Sequence, residues 1–185
     1  MKNFLLFCST FALSAQVWAA PYTYSPYNCE FQITFPEKPF IEKKCEKNAA
    51  NCVEVASYTK AVGVDASTRF RVTCNPVAAG EVTKYTTEII EETLNQLVKS
   101  NNLIPYNSQS SDKNGYKSAS TISLSERDGK PLIYNGQIWL GQTSMFTVEA
   151  EMIGHQNDEI QKTFASILKS AYPKNLKPAE EAPKQ

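Results

Sequence analysis

The fold is decided by residues 116–153, YKSASTISLSERDGKPLIYNGQIWLGQTSMFTVEAEMI. In its last part, MFTVEAEMI, apolar and other side chains alternate, so Phe146 and Val148 lie on one face while Glu149 and Glu151 lie on the other. A period of two residues is typical of a strand with one buried face. The stretch as a whole therefore predicts antiparallel strands that are separated by turns.

Over the whole chain, segments in which apolar residues alternate predict six strands, and two segments with a helical period of about 3.6 residues predict two helices. The strands are predicted at 29–35, 53–62, 67–75, 116–126, 132–140 and 145–153, and the helices at 78–101 and 157–172. The order βββαβββα predicts an α+β fold in which an antiparallel sheet of about six strands has flanking helices, an α/β/α sandwich.

Helical periodicity supports both helices. In the first, Ile89, Thr93 and Leu97 recur at spacings of four residues, and neighbouring apolar positions widen the stripe. In the second, Asn157 is a suitable N-cap and Pro173 ends the pattern. Each stripe requires a sheet face on which to pack.

The segments between these elements are predicted to be irregular. Residues 107–115 are polar and end in glycine, which is typical of a loop. The pair Asn135-Gly136 interrupts the strand at 132–140, where a hairpin turn and a bulge are both compatible with it and the bulge is favoured. Residues 20–173 are predicted to form one domain, and residues 174–185 a disordered tail.

Residues 1–19 have the pattern of a secretory signal peptide: one lysine, a short apolar run, and small residues before the cleavage site. Cleavage after Ala19 is preferred, because cleavage after Ala20 would leave Pro21 next to the scissile bond. The mature chain would have 166 of the 185 residues and a net charge of about −1. This charge does not favour nucleic acid or anionic lipid. A periplasmic or secreted location is predicted.

An exported chain with four remaining cysteines, Cys29, Cys45, Cys52 and Cys74, is expected to form two disulfides. Strand parity places the first and last of them in the core, and they lie opposite each other if their two strands are antiparallel neighbours. This favours Cys29–Cys74 with Cys45–Cys52, and the alternative is Cys52–Cys74 with Cys29–Cys45. No metal or cofactor is predicted.

Candidate chemical groups are few. The only histidine, His155, lies in the turn before the last helix, so a hydrolase that uses it as a base is the least favoured function. Glu149 and Glu151 point to one side of their strand, where paired carboxylates could bind a cation. With Trp139 they make up a candidate ligand face on the sheet.

Several core segments resemble the Mog1/PsbP-like fold. They are FQITFP at 31–36, GQIWLG at 136–141, MFTVEA at 145–150, and Phe164 with ILKS at 167–170. The resemblance covers nearly the whole mature chain. It implies a non-enzymatic protein, since members include assembly factors of a photosynthetic complex, a binder of a small GTPase and bacterial envelope proteins.

Two function classes follow from these features. The first is an exported, non-catalytic binding or assembly module of the bacterial envelope or secreted fraction, with a protein partner. The second is a periplasmic small-ligand or cation-binding protein that uses the face near Trp139, Glu149 and Glu151.

Overall fold

The computed structural model describes residues 20–45, 52–78 and 80–176. They form antiparallel strands and two α-helices, so the predicted α+β class is confirmed. The strands are β1 (Tyr22–Tyr24), β2 (Phe31–Phe35), β3 (Phe40–Cys45), β4 (Cys52–Val62), β5 (Ala66–Pro76), β6 (Asn107–Lys113), β7 (Tyr116–Arg127), β8 (Lys130–Leu140), β9 (Ser144–Gly154) and β10 (Tyr172–Pro173). The helices are α1 (Thr87–Ser100) and α2 (Asp158–Lys169), and a short 3-10 helix, Val82–Lys84, precedes α1.

The strands are arranged in two sheets. A seven-stranded sheet has the order β3-β4-β5-β9-β8-β7-β6, and a three-stranded sheet has the order β1-β2-β10. Every neighbouring pair is antiparallel. β9 lies at the centre of the large sheet, between β5 and β8, which is why the stretch at 116–153 dominates the architecture.

Helix α1 packs on one face of the large sheet. Its fully buried residues Ile90 and Leu94 contact a cluster on β7 and β8 that contains Ala119 and Ile138. Gly136 makes this approach possible, because a Cβ atom there would lie 2.9 Å from Leu94 Cδ1. The glycine therefore serves close helix packing.

Helix α2 and the small sheet pack on the opposite face. Phe164 and Ile167 of α2 join a core cluster with Phe31, Phe70 and Val148. Val148 pairs with Gln137 in the β8–β9 register, so it faces away from Ile138 and the α1 side. The predicted N-cap of α2 is confirmed, because Asn157 Oδ1 accepts a hydrogen bond from Ile160 N at 3.1 Å.

All six predicted strands are present, and four more accompany them within the described residues. They do not form the single predicted sheet, because β2 lies in the three-stranded sheet and the other five lie in the seven-stranded sheet. Residues 107–113, predicted as a loop, form β6, which pairs with β7 through a two-residue turn at Asn114 and Gly115 with φ of 56° and 78°. This strand has no apolar alternation because it lies at the sheet edge and is held by its backbone. At Asn135-Gly136 the register of β8 continues unbroken against both neighbours, so the predicted bulge is wrong.

Both disulfides have the predicted pairing. Cys29–Cys74 joins the segment before β2 to β5, and Cys45–Cys52 joins the facing ends of β3 and β4. Such bonds persist in oxidising compartments, which is consistent with an exported protein.

The ends of the chain are described only in part. The predicted signal peptide at 1–19 and most of the predicted tail lie outside the described residues. Residues 174–176 of that tail make hydrogen bonds with the domain, including Lys174 N to Glu30 O at 2.8 Å and Tyr116 OH to Asn175 Oδ1 at 2.8 Å. Neither α1 nor α2 has the length and apolar character needed to cross a bilayer.

Candidate functional site

A groove of about 430 Å³ runs along α1 on its side of the large sheet, and we call it the α1 groove. It exists because α1 covers mainly β6, β7 and β8 and leaves the α1-side surface of β4, β5 and β9 open. The groove is lined by Lys44, Cys45, Val53, Val55, Arg71, Thr73, Asn75, Thr93, Leu97, Ile138, Met145, Thr147 and Glu149.

The walls of the α1 groove come from two different elements. On one side stand Thr93 and Leu97, which belong to the apolar stripe that the sequence assigns to the helix. The structure leaves Thr93 exposed and Leu97 half-buried, because the inner face of α1 is made by Ile90, Leu94 and Val98. The other side is formed by β3 and β4, whose ends are joined by the Cys45–Cys52 disulfide.

The floor of the α1 groove combines apolar and hydroxyl side chains. Val55 of β4 and Ile138 of β8 are each 2% exposed, and Thr73 of β5 and Thr147 of β9 lie between them in the sheet. Concave sites of this volume are typical of small-molecule binding.

One end of the α1 groove is charged, and Glu149 is its centre. The carboxylate of Glu149 accepts hydrogen bonds from Arg71 Nη1 at 2.9 Å, Tyr134 OH at 3.2 Å and Asn101 Nδ2 at 3.2 Å. Burial and the nearby charge of Glu149 raise the pKa of Tyr134, so its hydroxyl remains a donor. A second cavity of about 280 Å³ continues from here and shares Arg71 and Glu149 with the α1 groove.

Glu151 lies in this second cavity and is held by two arginines. It accepts from Arg127 Nη1 at 2.8 Å and Arg127 Nη2 at 2.9 Å, and also from Arg69 Nη2. Its side chain is 10% exposed. Burial alone raises the pKa of Glu151, but the hydrogen bonds from Arg127 and the charge of Arg69 outweigh this effect, so the pKa lies below its usual value.

The strand register produces this arrangement directly. Arg69 is paired with Glu151, and Arg71 with Glu149, across β5 and β9. Opposite charges that face each other across an antiparallel pair attract. The carboxylates that suggested a cation site are thus already occupied by guanidinium groups, and three arginines against two glutamates leave this cluster with a charge of +1.

The structure does not bring Trp139 to the two glutamates. Trp139 pairs with Phe146, so it faces the α2 side, where its ring lies 6.2 Å from that of Phe31. There it borders a separate groove of about 350 Å³ whose polar lining consists mainly of serine and glutamine. The predicted ligand face is therefore divided between the two sides of the sheet. Glu149 pairs with Gly136, so it lies on the α1 side, whereas Trp139 lies three residues further along β8 and faces the α2 side.

His155 is exposed and does not line either groove. Its backbone N–H donates to Asp65 O at 3.2 Å in the turn after β9. Within residues 20–45, 52–78 and 80–176, no group of three or more His, Cys, Asp or Glu side chains is arranged to hold a metal ion.

The three arginines are the site residues that sequence reasoning missed. A signal for two of them was present, since Arg69 and Arg71 alternate on β5 with the same spacing as Glu149 and Glu151 on β9. Only the pairing of β5 with β9 shows that the two sets face each other.

Comparison with known proteins supplied no relative: no protein-family model matches the chain, and no curated protein is significantly similar to it.

Proposed function

We propose that the protein is an exported, non-catalytic binding or assembly module of the bacterial envelope or secreted fraction, and that its binding site is the α1 groove. The observation that carries the proposal is the construction of that groove. A helix on one side, a disulfide-joined pair of strands on the other and a floor that contains the buried Val55 and Ile138 form a concavity that the domain's own side chains leave unfilled. Preformed concave sites of this kind are where proteins bind small molecules.

The same proposal includes the Mog1/PsbP-like fold. The six predicted strands and two helices, β2, β4, β5, α1, β7, β8, β9 and α2, follow one another as βββαβββα. The two helices contribute to core clusters on opposite sides of the large sheet, as an α/β/α sandwich requires. Of the four additional strands, β3 and β6 extend the large sheet at its two edges, and β1 and β10 pair with β2 in the small sheet. The implied absence of enzymatic activity agrees with a binding role.

The charges at the site support binding rather than acid–base chemistry. A general acid or base needs a pKa near the working pH. The arginines around Glu151 lower the pKa of that carboxyl instead, which makes it a weaker base. Glu149 is likewise paired with Arg71. Both carboxylates hold arginine side chains in place and are therefore not free to bind a cation. This favours a small-ligand site over the cation site that the sequence suggested.

A thermal-shift panel with a matched pair of variants tests the proposal. Leu97→Trp places an indole in the α1 groove, whereas Ile89→Trp adds the same ring on the same helix at a position that is 45% exposed and outside the groove lining. The panel contains single-chain amphiphiles, sugars, nucleotides, short peptides and metal salts.

At a concentration of 100 Kd, a ligand that binds only the folded state adds about 2.7 kcal/mol of stability. We expect at least one compound to raise the melting temperature of the wild type and of Ile89→Trp but not of Leu97→Trp. If no compound distinguishes the two variants, the α1 groove is not a binding site and the proposal is overturned.

A further inference from the structure

We infer that the ligand of the α1 groove is a single-chain amphipathic anion, with its apolar chain along the groove floor and its carboxylate or phosphate head at Arg71 and Arg69. The inference rests on the proposed function and adds the chemical class of the ligand. It follows from the order of chemistry along two adjoining depressions that share Arg71 and Glu149: apolar side chains lie between α1 and β4, and the second cavity contains Arg69 and Arg71 beside their paired glutamates.

The groove offers apolar surface to a methylene chain. Five of its lining side chains are apolar, Val53, Val55, Leu97, Ile138 and Met145, and they lie beside Thr73, Thr93 and Thr147. Each methylene that leaves water on binding contributes hydrophobic free energy that corresponds to roughly a fourfold gain in affinity.

The head site is built from two arginines that carboxylates hold in place. Arg71 Nη1 is 2.9 Å from Glu149 Oε1, and Arg69 Nη2 contacts Glu151 Oε2. Their side chains are nevertheless 60% exposed for Arg69 and 50% exposed for Arg71, so both offer surface to a ligand. The two residues alternate on β5 and project from the same face. A guanidinium group has five N–H donors in a planar fork that fits carboxylate and phosphate.

Electrostatics selects the sign of the head group. The cluster of three arginines and two glutamates carries a charge of +1. Lys44, which also lines the α1 groove, is paired with Glu42 at 3.0 Å and adds no net charge. A cation would have to displace an arginine from Glu149 or Glu151, which would leave a guanidinium group unpaired. An anion adds hydrogen bonds to the arginines without breaking those that exist.

Calorimetric titration with four ten-carbon probes tests the head group. The probes are decanoate, decyl phosphate, decanol and decyltrimethylammonium, each kept below its micelle concentration. We expect one or both anions to bind about tenfold or more tighter than decanol and the cation. The two anions also distinguish a fatty-acid head from a phosphate head.

Variants and chain length test the position of the ligand. Arg71→Gln is expected to weaken the binding of the preferred anion about tenfold while leaving that of decanol unchanged. Lys130→Gln removes the same charge outside the groove and should have less than a threefold effect. In the wild type, affinity should rise roughly fourfold per methylene from octanoate to decanoate. This series needs no substitution, so it remains informative if Arg71→Gln fails to fold.

The outcomes separate the inference from the proposed function. If decanol or the cation binds as tightly as the anions, or if Arg71→Gln and Lys130→Gln behave alike, the head-group assignment is overturned while the α1 groove remains a binding site. If decanoate binds Leu97→Trp as well as it binds the wild type, the groove itself is not the site. If none of the four probes binds, the inference is overturned and the thermal-shift panel decides the proposed function.

Discussion

At the residue scale, Glu30 is a structural anchor that its sequence position does not reveal. Its carboxylate accepts hydrogen bonds from the backbone N–H groups of Gln142 at 3.1 Å, Thr143 at 2.8 Å and Ser144 at 3.1 Å. These hydrogen bonds attach the start of β2 to the turn between β8 and β9. Gly141 leaves room for this carboxylate, because a Cβ atom there would overlap it and force the Glu30 side chain to move.

The substitution Glu30→Gln is expected to destabilise the protein by about 1–2 kcal/mol at neutral pH, since hydrogen bonds to a charged acceptor are stronger than those to an amide. Partial burial raises the pKa of Glu30, but the hydrogen bonds from Thr143, Gln142 and Ser144 outweigh it and lower the pKa below its ordinary 4.5. The stabilisation is therefore fully present above pH 4.5 and is lost as the pH falls through the folded-state pKa.

Urea unfolding of the wild type and of Glu30→Gln across the acid range measures this effect. The difference in unfolding free energy should be largest at neutral pH and should shrink on acidification. Glu126→Gln, which changes an exposed glutamate on β7, should stay within about 0.5 kcal/mol of the wild type. A difference for Glu30→Gln that is independent of pH would contradict the role of its charge.

Gly154, at the end of β9, gives a second prediction at this scale. It has a φ of 104°, and a Cβ atom there would collide with the carbonyl group of Asp65. We expect Gly154→Ala to cost about 3 kcal/mol or more, because backbone strain and steric overlap add. Gly63→Ala, at a φ of 61° with no atom within 4 Å of the added Cβ, should cost only about 1 kcal/mol. Equal losses for the two variants in denaturant melts would show that the contact at Asp65 relaxes freely.

At the element scale, the α1 groove exists because α1 covers only part of one face of the seven-stranded sheet. The sequence predicts a wide apolar stripe on α1, and the helix buries only the part of it that contains Ile90, Leu94 and Val98. Ile89 remains 45% exposed, and Thr93 and Leu97 line the groove. A seven-stranded sheet is wider than one helix, so its outer strands β3 and β4 act as the opposite wall.

Removing the disulfides one at a time should separate fold stability from groove geometry. The Cys29–Cys74 bridge spans 45 residues and the Cys45–Cys52 bridge spans 7, for which loop entropy gives stabilisations of about 4 and about 2.5 kcal/mol. The double alanine variant at 29 and 74 should therefore be the less stable in urea. The variant at 45 and 52 should lose more decanoate affinity, because only that bridge joins β3 to β4 beside the groove. The reverse order of affinities would contradict the wall assigned to this pair of strands.

At the scale of the whole molecule, the two disulfides are consistent with a periplasmic or extracellular protein, because such bonds persist in oxidising compartments. We expect the protein expressed from its full sequence in a bacterium to leave the cytoplasm, to begin at Ala20 and to contain no free thiol. N-terminal sequencing and intact mass spectrometry under non-reducing conditions test this. Retention of residues 1–19, or reduced cysteines in the recovered protein, would count against export.

The central elements could be predicted from sequence because their side chains alternate between buried and solvent-exposed positions. β9, with Phe146 at 0% exposure on one side and half-buried Thr147 on the other, shows that pattern clearly. β6 could not be predicted, since an edge strand with polar side chains on both faces is specified by its neighbour's backbone. Asn135-Gly136 was misinterpreted for a similar reason, since its role depends on a distant residue. The pair is typical of a turn, but in the structure Gly136 leaves room for Leu94 of α1.

The amino-acid sequence by itself determined the α+β class, the six main strands and the presence of both helices, because side-chain periodicity is a local property of the chain. It favoured the cysteine pairing that the structure has, but left a second pairing open. Only the tertiary structure decided the chemistry of the candidate site. Considered alone, Glu149 and Glu151 suggest a cation-binding site. The pairing of β5 with β9 places Arg69 and Arg71 opposite them, so the glutamates are already paired with positive charges. Electrostatic character depends on distances between residues about 80 positions apart, and folding alone sets those distances.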